Sequence, residues 1–307
     1  MFIAEFTGEA FNKMKKAGFP FPLLLFILLF LVIFPECRSR NSILFYKPFG
    51  TTQEIYKKNS DIHITVYPYE GFAKGSVIFI HGGGWQMGGS DLPFYGDWEI
   101  LLKKAGLRAF SIEHRTAPHY RGKEIIQDCM DAVRYINQNA DRFKIPKNKF
   151  SIIGFSSGGH LALMSAFLLN GDQKEKIPIS SVVAYYSPLN LSPLFAEGSS
   201  QVQKLIQGIV PLPSLRDAQL FQKSLDDLSP YYAIPEKMMP VLLIHGKRDR
   251  LVPYSQSDAF FKKTKRMHPG KVKLILVEKG GHSFNVDWQN HPLRTEKKAV
   301  KFIKKNM

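Results

Sequence analysis

Past residue 40, short apolar or β-branched runs alternate with longer stretches in which apolar residues recur at helical spacing. Strands that alternate with helices of ten to fifteen residues indicate βαβ units and a mainly parallel sheet flanked by helices, an α/β fold. Two strands with no helix between them start the series, so we expect an antiparallel start to the sheet. The predicted strands are 43–46, 62–67, 76–80, 108–112, 150–153, 181–186, 241–244 and 273–277, and the predicted helices are 97–105, 125–139, 159–170, 254–265 and 294–305.

One long connection interrupts this alternation. Residues 189–238 separate two predicted strands and carry five prolines among short helical pieces. Connections of this length are usually lids or binding elements rather than plain loops. We therefore predict that 41–307 is a single α/β domain, in which 189–238 is a small cap insertion. The cap should lie over the carboxyl ends of the strands, where open α/β sheets bind ligands.

The N-terminal region has the pattern of an export signal. Residues 23–34 form an apolar run, and three lysines lie shortly before it, within 13–16. A basic region followed by a short apolar run is typical of a secretory signal. Even when extended to 19–34, the run is shorter than the roughly 20 residues that span a bilayer. The sequence has no Ala-x-Ala cleavage site after the run, so a retained anchor that associates with the membrane through 19–34 stays open. We assign 1–40 to a signal peptide or membrane anchor and expect an exported protein, whether periplasmic, secreted or membrane-anchored.

The charge and the cysteines narrow the possible partners. The formal net charge is +16, from 42 basic and 26 acidic residues. Such a balance indicates either a solvated basic surface or attraction to an anionic partner such as a lipid surface. The sequence has neither zinc-finger spacing nor an RNA-binding signature, so we expect no nucleic-acid partner. Two cysteines do not make a disulfide framework. Cys129 lies among apolar residues at helical spacing and is predicted to be a core residue, whereas Cys37 is a weak candidate for lipidation.

A strand, a sharp turn and a helix follow one another within residues 150–164, which read FSIIGFSSGGHLALM. The turn has the pattern G-x-S-x-G, with glycines at 154 and 158. Such a turn presents a serine hydroxyl at the edge of a sheet, and larger side chains at the glycine positions would clash as the backbone doubles back. We predict Ser156 as a nucleophile. An ordinary glycine-rich turn is the alternative.

A serine hydroxyl needs a base to take its proton, and the base needs a carboxylate to orient it. His282 lies on a glycine-rich turn after the last predicted strand and is the predicted base. Asp249 is the single carboxylate in the loop after the preceding strand and is the predicted acid; an ion pair with a neighbouring arginine is the alternative. The chain order Ser156, Asp249, His282 matches that of G-x-S-x-G hydrolases. For His245 we predict a structural role, and for His160 a packing or hydrogen-bonding role.

The sequence HGGGW, at 81–85, directly follows the predicted strand 76–80. Glycines at such a position let backbone N–H groups approach a substrate oxygen that gains negative charge. We predict Gly83 and Gly84 as oxyanion donors, with the amide of Ser157, at the positive end of the next helix, as a third. A phosphate-binding loop is the competing interpretation. It is disfavoured because the sequence has no Gly-Lys-Ser/Thr there and no helix is predicted to begin.

Taken together, HGGGW, GFSSGGH, HGKRDRLVP and GGHSF resemble the acetyl esterase and carboxylesterase branch of the α/β-hydrolases. This branch includes hormone-sensitive-lipase-like enzymes and the feruloyl and acetyl xylan esterases. The resemblance runs from about 60 to 303 and includes Asp128 and the segment 113–118, which is similar to the family's Tyr-Arg-Leu-Ala-Pro. It implies the α/β-hydrolase fold, supports the same catalytic triad and oxyanion donors, and implies neither a metal nor an organic cofactor.

Three positions depart from the family pattern. Phe155 precedes the nucleophile where aspartate is common, His114 replaces a tyrosine, and 120–122 replaces a Phe-Pro pair. These departures bear on the substrate more than on the chemistry. We expect a serine hydrolase of carboxylic esters with short acyl chains, acting on a small ester. The residues predicted to line its pocket are Trp85, Tyr185, Tyr186, Leu194 and Phe195.

Two other functions fit parts of the pattern. One is a serine peptidase or amidase, because prolyl-oligopeptidase-type enzymes share the loop around Asp249 and kynurenine formamidases share an HGG-W loop. The other is a hydrolase fold that has lost catalysis and serves in binding. Proteins of that kind usually lack a triad member, whereas this sequence has candidates for all three.

Overall fold

The computed structural model of the protein describes residues 50–90, 95–172, 176–286 and 294–307. The predicted strand at 43–46 and the predicted signal or anchor at 1–40 lie outside these residues. Within the described ranges, no helix has both the length and the apolar character needed to cross a membrane.

The described residues form an eight-stranded sheet in the order β1-β2-β4-β3-β5-β6-β7-β8. Strands β3 to β8 run parallel to one another, whereas β2 pairs antiparallel with both β1 and β4. The mainly parallel sheet is therefore confirmed. Its antiparallel start is formed by β2 with β1, a strand that was not predicted, and the predicted partner at 43–46 lies outside the described residues. The strands are β1 (Thr52–Lys57), β2 (Ile62–Val66), β3 (Gly75–Ile80), β4 (Leu107–Ile112), β5 (Phe150–Phe155), β6 (Ile179–Tyr185), β7 (Val241–Gly246) and β8 (Val272–Val277).

Helices cover both faces of this sheet. Strand β3 shows why: Ile78 and Ile80 belong to one buried cluster, and Val77 and Phe79 belong to another on the opposite face. A strand buried on both sides reads as a continuous apolar run, which is the signal that predicts it from the sequence. Helices α2, α3 and α7 pack on the first face and α1 and α8 on the second. The helices are α1 (Tyr95–Lys104), α2 (Gly122–Gln138), α3 (Ser157–Gly171), α4 (Leu191–Glu197), α5 (Ser200–Ile209), α6 (Ala218–Asp227), α7 (Ser255–Met267) and α8 (Arg294–Asn306).

Cys129 of α2 is fully buried in the first cluster, which confirms the prediction of a core residue. Burial raises the pKa of its thiol well above the usual value, so it stays protonated at neutral pH. This cysteine therefore packs as a small apolar side chain.

The segment 189–238 is inserted between β6 and β7 and contains α4, α5, α6 and a 3₁₀ turn at Leu212–Arg216. The side chain of Leu205, on α5, lies against Gly84 in the loop after β3. Nη1 of Arg121, in the connection after β4, donates a hydrogen bond to the carbonyl oxygen of Gly208 (2.7 Å). Both loops lie at the carboxyl ends of parallel strands, so the insertion packs at that edge of the sheet. We keep the name cap for this insertion, residues 189–238.

Candidate active site

Ser156 lies at the turn between β5 and α3, in a backbone conformation (φ 53°, ψ −123°) that L-residues rarely adopt. Its N–H donates to the carbonyl oxygen of Tyr185 on the neighbouring strand (2.9 Å). Two residues later, a side chain at Gly158 would overlap the carbonyl oxygens of Ile80 and His81 at the end of β3. The glycine allows the helix to begin in contact with β3, which confirms the steric reason for the glycine spacing.

The three side chains of the predicted triad lie together. Oγ of Ser156 is 3.0 Å from Nε2 of His282, which lies on the turn after β8. Nδ1 of the same ring is 2.7 Å from Oδ2 of Asp249, in the loop after β7. Both distances are within hydrogen-bonding range, so a proton can pass from the serine to the imidazole while the carboxylate holds the ring.

The environment of Asp249 keeps it ionised. Its Oδ1 accepts hydrogen bonds from the amides of Leu251 (3.0 Å) and Val252 (2.9 Å). Burial alone would raise the pKa of Asp249, but electrostatic attraction to the ring of His282 and hydrogen bonds with His245 and His282 hold that pKa well below its usual range. A permanent carboxylate at this position fixes the proton of His282 on Nδ1 and lets Nε2 accept the hydroxyl proton of Ser156.

Three further residues, described below, contact the predicted triad directly or through one intervening side chain. His245 is fully buried; its Nδ1 is 2.8 Å from Oγ of Ser257, and its Nε2 is 3.3 Å from Oδ2 of Asp249. This confirms its structural role and locates that role beside the acid. The ring of Tyr186 packs against the ring of His282 (4.8 Å between centroids), and its hydroxyl donates to Oδ1 of Asn285 (2.6 Å). Nothing in the sequence singles out Asn285.

The HGGGW loop lies directly beside Ser156, the predicted nucleophile. A Cβ atom at Gly82 would be 3.2 Å from Cβ of Ser156. Gly83 and Gly84 have φ values of 118° and 63°, which glycine adopts without strain. Within the described residues, no backbone carbonyl accepts a hydrogen bond from either amide. Ser157, the third predicted donor, is the first residue of α3. The loop and the helix start therefore bring candidate amide donors close to Ser156.

The cap closes one side of this loop. Leu205 is half-buried, and a Cβ atom at Gly84 would be 2.8 Å from its Cδ2. On α5, Val202, Ile206 and Ile209 are all buried, so Leu205 is the partly exposed member of an otherwise buried stripe. Nothing in the sequence alone marks it as a site residue. Its helical spacing identifies the stripe, but only the fold shows which loop the stripe meets.

The five predicted pocket residues differ in burial and in the side chains that they contact. The side chains of Trp85, Tyr186 and Leu194 are almost fully buried near the carboxyl edge of the sheet or in the cap. Phe195 is half-buried against Phe221 (4.9 Å between ring centroids). Tyr185 and Tyr186 both belong to the second buried cluster. The ring of Tyr186 packs on His282, whereas the ring of Tyr185 packs on Trp98 and Phe155, and we leave Tyr185 out of the proposed substrate contacts.

Two further histidines stack near the HGGGW loop. The rings of His81 and His114 are 4.2 Å apart, and both are buried. Burial lowers the pKa of His114 to about 4, so its ring is neutral at neutral pH. In the part of the chain that the structure describes, no group of three or more His, Cys, Asp or Glu side chains is arranged to hold a metal ion.

The BD-FAE family model matches residues 65–264. Esterase LipC of Mycobacterium tuberculosis is 25% identical over 218 residues, which cover 68% of this chain and 53% of that protein. The arylesterase of Saccharolobus solfataricus is 28% identical over 167 residues, which cover 52% of this chain and 54% of that protein. The chain thus spans about half the length of these curated relatives.

A solved structure, Thermogutta terrifontis esterase 2 phosphonylated by sarin, matches with a TM-score of 0.68 and 20% identity. The match covers 85% of this chain and 96% of that one. At this level of identity the likeness shows the fold, and it confirms the predicted α/β-hydrolase architecture. Because the family model covers well over half of the chain, the protein belongs to the BD-FAE family, in the esterase branch of the α/β-hydrolases.

Proposed function

We propose that the protein is a serine hydrolase of carboxylic esters with short acyl chains. The observation that carries this proposal is the continuous hydrogen-bonded series from Ser156 through His282 to Asp249. Each member comes from a different loop at the carboxyl edge of the sheet. An arrangement that joins nucleophile, base and acid in this order is the one that acyl transfer needs.

In the proposed mechanism, Oγ of Ser156 attacks the ester carbonyl while Nε2 of His282 takes the hydroxyl proton. Asp249 stabilises the imidazolium that results. The carbonyl oxygen becomes negative, and the amides of Gly83, Gly84 and Ser157 donate hydrogen bonds to it. His282 then gives its proton to the departing alcohol, which leaves an acyl-enzyme. A water molecule, activated by the same imidazole, attacks the acyl-enzyme and releases the acid.

The cap supports short acyl chains. Leu205 fills the space beside Gly84, one of the proposed oxyanion donors. Trp85, Tyr186 and Leu194 are almost fully buried, and Phe195, itself on cap helix α4, is half-buried against Phe221. A long chain would have to displace these side chains, whereas an acetyl or propionyl group needs little room. The names of the relatives, esterase and arylesterase, are consistent with the ester class.

The central test is Ser156→Ala, assayed with p-nitrophenyl esters from acetate to palmitate. We expect kcat to fall about 10⁶-fold, because the nucleophile is removed. Ser165→Ala, a serine within α3 that lies outside the triad, is the matched control and should keep wild-type activity. A fluorophosphonate probe should label the wild type and not Ser156→Ala. If Ser156→Ala keeps wild-type turnover, the proposal is wrong; faster cleavage of a fluorogenic dipeptide than of any ester would instead favour a peptidase.

The role of the acid has its own test. Asp249→Asn should lower kcat about 10⁴-fold, because an amide favours the wrong tautomer of His282. The fold should persist, since asparagine keeps the Oδ1 acceptor for the two backbone amides of the loop. The measurement is kcat for p-nitrophenyl acetate, with circular dichroism to verify folding. A decrease of less than tenfold in a folded variant would show that another group orients His282.

A further inference from the structure

His160 lies in the first turn of α3, four residues after the nucleophile, and is fully buried. Both nitrogens of its ring have partners from other parts of the chain. Nδ1 is 3.2 Å from the indole nitrogen of Trp85, and Nε2 is 2.6 Å from the carbonyl oxygen of Leu228. The indole and imidazole rings are nearly perpendicular, at 88°. His160 therefore joins the HGGGW loop to the C-terminal end of the last cap helix, α6.

The chemistry of the two partners fixes the tautomer. An indole N–H can only donate and a backbone carbonyl can only accept, so Nδ1 must be unprotonated and Nε2 must carry the proton. This arrangement requires a neutral ring. Burial lowers the pKa of His160 to about 4, which keeps the ring neutral at neutral pH.

The loop at the first end of this bridge is strained. Trp85 has φ 62°, an unfavourable conformation for a residue with a large side chain, and it immediately follows Gly84. Such a conformation persists where the surroundings hold it from several sides. Here the carbonyl oxygen of Trp85 accepts from the amide of Ala117 (2.9 Å), and its indole is held by His160. The direction of the Gly83 and Gly84 amides therefore depends on how firmly Trp85 is held.

The cap at the second end touches the same loop again. Leu228 follows α6 in the chain, and Leu205 of α5 lies against Gly84. Three elements therefore contact one another in pairs. His160 joins α3 to the HGGGW loop through Trp85 and to the cap through Leu228, and Leu205 joins the cap to the loop. Loss of the His160 ring would remove two of these three contacts at once.

We propose that His160 is a positioning residue, which holds the oxyanion loop and the cap in register with Ser156 without touching the substrate. The inference rests on the proposed ester hydrolysis, because the amides that it positions are those that stabilise the oxyanion. His160, the histidine of the GGH motif, would then affect the rate of turnover in addition to packing in the core.

The test compares four variants in steady-state hydrolysis of p-nitrophenyl acetate. His160→Leu removes both hydrogen bonds and should lower kcat between about tenfold and 100-fold, with KM little changed, because misplaced donors weaken transition-state binding. His160→Gln can still accept at Oε1 and donate at Nε2, and should recover most of that loss. Trp85→Phe removes only the indole donor and should lower kcat in the same direction. Leu169→Ala, a buried site near the far end of the same helix, should lower Tm but leave kcat unchanged.

Two further measurements separate positioning from plain stability. In a double-mutant cycle, Trp85→Phe should cost little in the His160→Leu background, because the contact is already lost. Amide exchange in residues 225–232 should be faster in His160→Leu than in Leu169→Ala. The inference is overturned if His160→Leu keeps wild-type kcat while its Tm falls as in Leu169→Ala, or if His160→Gln is no better than His160→Leu.

Failure of the proposed function would look different. The wild type itself would then neither hydrolyse the esters nor react with a fluorophosphonate probe. In that case the exchange experiment still decides whether His160 holds the cap: unchanged exchange at 225–232 in His160→Leu refutes the bridge independently of any activity. If His160→Leu does not fold, Trp85→Phe and His160→Gln carry the same comparison.

Discussion

The nucleophile elbow (residues 150–160) and the cap (residues 189–238) meet at His160, but they are held in shape by different means. In the elbow, strand β5 turns sharply into α3, and Gly158 lies against the end of β3 with no space for a side chain. One steric requirement between backbone atoms sets the geometry. The elbow is therefore rigid because its parts cannot be moved apart without breaking the sheet.

The cap depends on several separate side-chain contacts between short helices. Oγ of Ser192 on α4 donates to Asp226 on α6 (2.9 Å), and the hydroxyl groups of Ser214 and Ser224 lie 2.9 Å apart. Each contact of this kind adds only about 1 kcal/mol. A single substitution in the cap should therefore cost little stability, whereas a single substitution at the sterically locked glycine of the elbow should cost much of it.

The largest expected effect comes from Gly158→Ala. The new Cβ atom would overlap the carbonyl oxygens of Ile80 and His81, which are fixed by the sheet, so neither side can relax cheaply. We expect a loss of about 4 kcal/mol or more in the free energy of unfolding, or failure to fold. Urea unfolding, with ester hydrolysis measured in parallel, checks this.

The matched control is Gly171→Ala, at the other end of α3. A Cβ atom there would meet nothing within 4 Å. Alanine at that position should be neutral or stabilise the protein by up to about 1 kcal/mol, because glycine has the lower helix propensity. Equal unfolding midpoints for Gly158→Ala and the wild type would show that the elbow is not sterically locked, and the contrast with the cap would disappear.

This contrast also explains what the sequence could predict. The elbow, the order of the triad and most strands follow from local patterns: glycine spacing, apolar runs and the loops that follow them. The predicted triad residues Ser156, Asp249 and His282 indeed lie at hydrogen-bonding distance. Strand β1 was not predicted because it is an edge strand that has neither a fully buried residue nor an apolar run. Its pairing comes from β2, which lies later in the chain.

The pocket residues were harder to predict for a physical reason. Strand β6 is buried on both faces, so its sequence carries no alternation that would show the direction of Tyr185. Its ring packs with the rings of Trp98 and Phe155. Leu205 and Asn285 were missed because their importance comes from loops distant in the chain. Such long-range contacts are the means by which the cap is built.

At the junction between elbow and cap, stability should depend on pH. The pKa of His160 is about 4 in the folded protein, against 6.5 for an exposed histidine. Between these pH values the unfolded chain binds a proton that the folded chain does not, so the free energy of unfolding is highest above pH 6.5 and falls towards pH 4. The loss from this residue should be about 3 kcal/mol.

Urea unfolding at about pH 7, 5.5 and 4 checks this expectation. His160→Gln should show a flatter pH dependence than the wild type. Burial also lowers the pKa of His114 to about 4, so this histidine adds a second contribution to the pH dependence of stability. The double variant with His114→Gln should therefore be flatter still. An unchanged slope in His160→Gln would mean that the junction opens and admits water before the histidine is protonated.

The smallest expected effect lies inside the cap, at Asp217. Its side chain caps the N-terminus of α6 by accepting from the amides of Gln219 (2.8 Å) and Leu220 (2.9 Å). Asp217→Ala should cost about 1 kcal/mol, and Asp217→Asn should recover most of it, because asparagine caps helices equally well. Amide exchange of residues 218–227 and urea unfolding measure the change, and kcat should hardly move because His160 still holds the end of the helix. If Asp217→Ala lowered the free energy of unfolding by several kcal/mol, the stability of the cap, like that of the elbow, would depend on a single contact.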